Sequence, residues 1–145
     1  MLNASRIEIY DFIYDLIYDD EVLKNVYKMS EPQELNESDV KDGFVVIRVG
    51  EINDASEFDK EAFGSTRVFI EAYIPPKQRG RLNEEMYEKY ENAIEEAIQN
   101  APNDGTYFIS NGTTLSSDVE ETRNANNIFF TFIRSFVLLI DKEQP

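Results

Sequence analysis

The closing segment, Asn127–Asp141 (NIFFTFIRSFVLLID), constrains the fold more than any other stretch of the chain. It is rich in Phe, Ile and Val, so it predicts a long strand. A buried helix is the alternative, because periodicity does not settle so apolar a run. Read as a strand, it places Ile128, Phe130, Phe132, Phe136, Leu138 and Ile140 on one face. Phe129, Ile133, Val137 and Leu139 fall on the other. A half-exposed sheet has one apolar face, whereas this strand has two. Either both faces are covered within the fold or another subunit buries one. Two helices in a chain of 145 residues struggle to cover both. That implies a homo-oligomer, unless residues 20–42 or 53–62 fold over the second face.

Upstream, Ser5-Arg6-Ile7-Glu8 has the form of a capping box. It opens a helix expected over Arg6–Asp19, with Ile9, Tyr10, Ile13, Leu16 and Ile17 at helical spacing. A shorter helix or extended piece is expected over Glu21–Met29. Pro32 breaks it by pushing Glu31 out of the helical region, and residues 30–42 read as a polar loop. Phe44–Val49 is β-branched and predicts a strand, residues 53–62 a loop, and Arg67–Ile74 a second strand. Pro75-Pro76 ends that strand, since neither can donate a ladder hydrogen bond.

The second helix is the clearest. Asn83 is a good N-cap, Glu84 and Glu85 meet the positive end of the dipole, and Leu82 and Tyr87 occupy the two staple positions. Tyr87, Tyr90, Ile94, Ala97, Ile98 and Ala101 make its apolar stripe, and Pro102 with Asn103-Asp104-Gly105 stops it. Asn111-Gly112 predicts a type I′ hairpin between Thr106–Ser110 and Thr113–Ser117, followed by a polar stretch 118–126. These elements predict a single α+β domain over 1–145. Its sheet is mostly antiparallel, with four to five strands and two amphipathic helices on one face.

Charge and composition limit the chemistry. Lys and Arg number 14 against 29 Asp and Glu, a net charge of −15. Such a surface repels phosphate backbones and anionic lipid, so neither tight nucleic-acid binding nor membrane binding is expected. Cys, His and Trp are absent. That excludes thiol catalysis, histidine general-base catalysis, Cys/His zinc sites and disulfides. The stripe Glu8, Asp11, Asp15 and Asp19 offers carboxylate oxygens, but one helix face does not surround a cation. A solvated face is the reading for it and for Glu84, Glu85, Glu88, Glu91 and Glu95. Nothing selects a glycosidase pair from the 29 acids. Tyr10, Tyr14 and Tyr18, four apart, read as a half-buried stripe. No catalytic, cofactor-binding or metal-binding residue is expected, and the chain is not read as an enzyme.

Against this acidity, Lys77, Arg79 and Arg81 form the most concentrated basic segment. They sit between a strand end and a helix start. A phosphate site is conceivable there, but the glycine-rich phosphate-loop pattern is missing. Docking on the acidic face of a neighbouring copy is the other functional reading, beside a solubilising loop. The candidate assembly contact is therefore Lys77, Arg79 and Arg81 together with Phe129, Ile133, Val137 and Leu139. Glu8, Asp11 and Asp15 interrupt the amino-terminal apolar positions where a signal peptide needs an unbroken run. Ile128–Ile140 is too short for a membrane span and contains Arg134. These features imply a cytoplasmic or virion protein that is not secreted.

In element order, the chain resembles the tail terminator (tail completion) proteins of long-tailed bacteriophages and related head–tail joining proteins. The matching pieces are Arg6–Asp19, Phe44–Val49, Arg67–Ile74, Glu84–Asn100 and Asn127–Ile140. The resemblance implies a ring-forming structural protein of a phage or prophage, with the tail tube and head-completion proteins as partners. The alternative is an acidic binding or regulatory module, immunity-like or a DNA mimic, whose carboxylates imitate phosphate.

Overall fold

The structure, a computed structural model, describes residues 6–54, 63–102, 105–124 and 127–141. Its elements are α1 (Arg6–Ile17), β1 (Val26–Lys28), α2 (Glu37–Asp42), β2 (Phe44–Val49), β3 (Asn53–Asp54), β4 (Phe63–Ile74), a 3₁₀ turn (Gln78–Gly80), α3 (Glu84–Gln99), β5 (Tyr107–Asn124) and β6 (Asn127–Asp141). The fold is α+β. The described strands form one six-stranded sheet in the order β1-β2-β4-β6-β5, with β3 paired to β4. The β1–β2 pair is parallel and every other pair antiparallel.

β6 is a strand and lies inside the sheet between β4 and β5, which explains its two apolar faces. Its even-numbered Phe132, Phe136, Leu138 and Ile140 join the main core beneath α1 and α3. From those helices come Ile9, Tyr10, Ile13 and Ile17, and Tyr90, Ile94 and Ile98. Val45, Ile47, Val68 and Ile70 complete this front face. The α3 start follows its local chemistry: the Asn83 side chain accepts from the Met86 N–H at 3.1 Å. At the start of α1, Ser5 lies outside the described residues, but the Arg6 guanidinium donates to the Gly50 and Val49 carbonyls, both at 2.6 Å.

Three expectations change. The sheet has six strands rather than four to five, because Val26–Lys28 and Asn53–Asp54 also pair. A third helix, α2, occupies part of the segment read as loop. Asn36 caps it by accepting from the Asp39 N–H, and the Asp39 carboxylate accepts from the Asn36 N–H. The hairpin at Asn111-Gly112 does not form. Tyr107–Asn124 runs as one strand along β6, and the chain reverses between Asn124 and Asn127, which are themselves paired. Residues 111–113 instead fall in a register shift between Ser110 and Thr114. Long-range pairing with β6 overrides the local turn preference.

Candidate assembly surface

The back of the sheet carries the odd-numbered residues of β6 and their partners. One end of it is sealed by the chain itself. Phe129 is 1% exposed and meets Phe44 and Tyr73 edge-on, at ring-centroid distances of 5.3 and 6.1 Å. Phe44 stacks on Tyr73 at 4.4 Å, and Tyr27 and Leu35 pack against the group. Phe129 is thus covered by its own segment 27–44, the outcome in which residues 20–42 fold over the second face.

Polar contacts hold that cover in place. The Tyr27 hydroxyl donates to the buried Asp39 carboxylate at 2.7–2.8 Å. The Tyr73 hydroxyl donates to Glu31. Arg48 donates to Glu71 at 2.7 Å and to the Met29 carbonyl at 2.5 Å. Burial, then hydrogen bonds to these carboxylates, push the Tyr27 and Tyr73 phenols above their ordinary value. Tyr90 is raised chiefly by burial, and its hydroxyl donates to the Asp42 carbonyl at 2.6 Å. All three hydroxyls act as donors that anchor the fold.

The other end of the back face is more open. Ile133, Val137 and Leu139 are half-buried, as are Phe69 on β4 and Phe108 on β5. Val137 and Leu139 pair with Arg67 and Ser65, near the start of β4. Exposed Arg67 reaches across to the buried Ser135 hydroxyl at 3.1 Å. These apolar side chains keep part of their area in contact with water, around the polar pair of Arg67 and Ser135.

Lys77 and Arg81 lie in the loop after Ile74 and are exposed; the side chain of Arg79 lies outside the described residues. The loop closes on itself: the Lys77 N–H donates to the Arg81 carbonyl at 2.7 Å, and Gly80 turns at φ +71. Lys77 and Arg81 take part in none of the salt bridges among the described residues. The predicted contact residues are spread along the sheet: Phe130, next to Phe129, pairs with Ile74 at the loop end and Ile133 pairs with Glu71, whereas Val137 and Leu139 are farther off. Seven to nine residues of β4 separate Ile74 from Arg67 and Ser65, about 23–30 Å at the rise of a strand.

On the front, Arg134 lies beneath α3, where it pairs with Glu91 and Glu95 at 3.4 Å and donates to the Thr113 hydroxyl at 3.0 Å. Burial opposes the Glu95 charge, but hydrogen bonds from Thr113, Arg134 and Gln99 outweigh it and hold the carboxyl below its ordinary value. The only sequence signal for this cluster was a lone arginine in an apolar run. The acidic residues expected on one helix face are used singly: Asp11 on α1 pairs with Lys28, and Asp19, two residues beyond the end of α1, accepts from the N–H groups of Glu21, Val22 and Leu23. Between α1 and α3 lies a groove of about 450 Å³, walled by Leu16, Tyr18, Val22, Ala93 and Ala97. Sequence periodicity did not single it out. Among the described residues, no helix is long and apolar enough to cross a membrane.

No protein-family model matches the chain, and no curated protein matches it.

Proposed function

We propose that the chain is a non-enzymatic assembly protein that associates with copies of itself, as a tail terminator or head–tail joining protein does. The observation that carries this is the unequal cover of the sheet. On the front the two helices bury Phe132, Phe136, Leu138 and Ile140, leaving Ile128 and Phe130 half-buried, while on the back Ile133, Val137 and Leu139 are half-buried beside Phe69 and Phe108. A partner surface over that patch would remove apolar area from water at about 25 cal/mol per Å². A ring with a net charge of −15 per copy would let duplex DNA pass without adhesion. In such a particle the tail tube and head-completion proteins would be its neighbours.

Light scattering across a hundredfold range of concentration, about two decades of mass action, tests the reading. The expected result is a discrete mass that is a multiple of 16.8 kDa. A strict monomer at every concentration overturns it.

One observation favours the acidic binding module instead. Glu84, Glu85, Glu88 and Glu96 on α3 and Glu8, Asp11 and Asp15 on α1 are exposed, and both helices lie on the front face. A monomer that captures a basic, nucleic-acid-binding protein stoichiometrically would support that reading over self-assembly.

A further inference from the structure

The groove between α1 and α3 and the basic loop before α3 are opposite in charge. Tyr18, 45% exposed, stands on the groove wall and stacks on Tyr14 at 5.5 Å. Glu96 lines the groove, and Asp20 and Glu21 directly follow its lining residue Asp19 in the chain. These three acids are exposed, and none joins a salt bridge among the described residues. The groove therefore combines apolar walls at Leu16, Val22, Ala93 and Ala97 with acidic Glu96 on its rim, and Asp20 and Glu21 lie next to it in the chain. The loop offers the opposite: two exposed cations on a backbone already closed by the Lys77–Arg81 hydrogen bond. A preformed loop loses little conformational freedom on docking. The aliphatic stems of Lys77 and Arg81 can lie on the apolar wall while their charged ends meet the rim.

The loop does not serve its own groove. It precedes the first turn of α3, whereas Ala93, Glu96, Ala97 and Asn100 belong to the last turns. From Glu84 at the start of α3 to the lining residues Ala93–Asn100, the helix rises roughly 14–24 Å at 1.5 Å per residue. A second copy meets no such obstacle, and the contact so made is head-to-tail, the kind that closes rings.

We propose that the Lys77–Arg81 loop of one copy docks in the α1–α3 groove of the next. This rests on the self-assembly reading and names one of its contacts.

Charge reversal of full-length protein tests it. Lys77→Glu with Arg81→Glu gives a loop that the groove repels. Asp20→Lys with Glu96→Lys gives a groove that the loop avoids. Each double variant should associate about tenfold more weakly than wild type, or worse, with its circular dichroism unchanged because all four sites are exposed. An equimolar mixture should recover the wild-type mass, since each loop then faces a groove of opposite sign. Wild-type association should also weaken with added salt. If the wild type assembles and both double variants assemble equally well, the docking contact is wrong and self-assembly stands. If the mixture fails to recover, the loop and groove are not partners. If the wild type is monomeric throughout, the self-assembly reading falls, and this contact with it.

Discussion

Phe129→Ala and Val137→Lys should separate the sealed part of the back face from the open part. Phe129 is 1% exposed, and truncating a buried phenylalanine costs about 3–5 kcal/mol. Its site lies beneath a short covering segment, with only Phe44, Val46 and Tyr73 as fully buried neighbours in that cluster. The cover can settle partway into the hole, which places the cost near the low end, about 3 kcal/mol. In a domain of this size each kcal/mol moves Tm by about 2–4 °C, so Phe129→Ala should melt roughly 6–12 °C lower. Val137 is half-buried on the open part. A lysine there can lay its stem along the sheet and keep its ammonium in water, at a cost below about 1 kcal/mol. The order reverses for association: Val137→Lys puts a charge in the patch, while Phe129→Ala leaves the patch unchanged. Thermal unfolding by circular dichroism, run dilute so that mass action adds little, reads the first quantity, and light scattering reads the second. If Val137→Lys melts as low as Phe129→Ala in dilute solution, its own chain encloses that side chain and the back-face reasoning is refuted.

Gly43→Ala should destabilise by about 3 kcal/mol, measured by urea unfolding. Gly43 sits at φ +82, and a Cβ there would lie 2.5 Å from the Tyr73 carbonyl oxygen and 2.8 Å from the Tyr90 hydroxyl. Glu95→Gln should flatten the acid limb of the stability–pH curve. The folded protein holds Glu95 below its ordinary value of 4.5, so its contribution is present above that pH and fades as pH falls through the lower folded value. Stability equally sensitive to acid in Glu95→Gln would remove the cluster from the account. Tyr27, Tyr73 and Tyr90 predict the alkaline limb. Each is raised above its ordinary value of 10.0, so their contribution is complete below pH 10 and lost as pH rises beyond it. Ultraviolet titration should find these phenols ionising with unfolding, later than exposed tyrosine.

What the sequence made legible was local. Asn83 caps α3 and Pro75 follows the last residue of β4, each where side-chain chemistry acts on its own backbone. The two faces of β6 were legible too, because alternation needs only one strand. What failed depended on a partner distant in sequence. Asn111-Gly112 favours a tight turn, yet Ser110 pairs with Val137 and Thr122 with Phe129, and that ladder, with its three register shifts, carries the chain on past the turn. Val26–Lys28 is too short to signal a strand and exists because β2 lies beside it in parallel. The α2 helix was locally encoded, by Asn36 and Asp39, but its polar composition resembled loop. In the predicted contact, Lys77 and Val137 were grouped by chemistry alone, and the length of β4 keeps them apart.

The sheet edges narrow the routes by which copies can meet. A long flat edge strand is a template for strand addition. β5 is an edge of 18 residues, long enough to invite it. Its pairing with β6 shifts register between Ser110 and Thr114, Leu115 and Ser117, and Ser117 and Glu120, and each irregularity twists the outer edge away from a regular ladder. Exposed Asp118, Glu120 and Glu121 place like charges along the same stretch, so two such edges repel. The opposite edge, β1, offers three residues, and Lys28 there is already paired with Asp11. With both edges guarded, assembly through side chains on a face or a loop is the favoured route. Substitutions at Val137, Lys77 or Glu96 should therefore change association more than any substitution confined to the β5 edge.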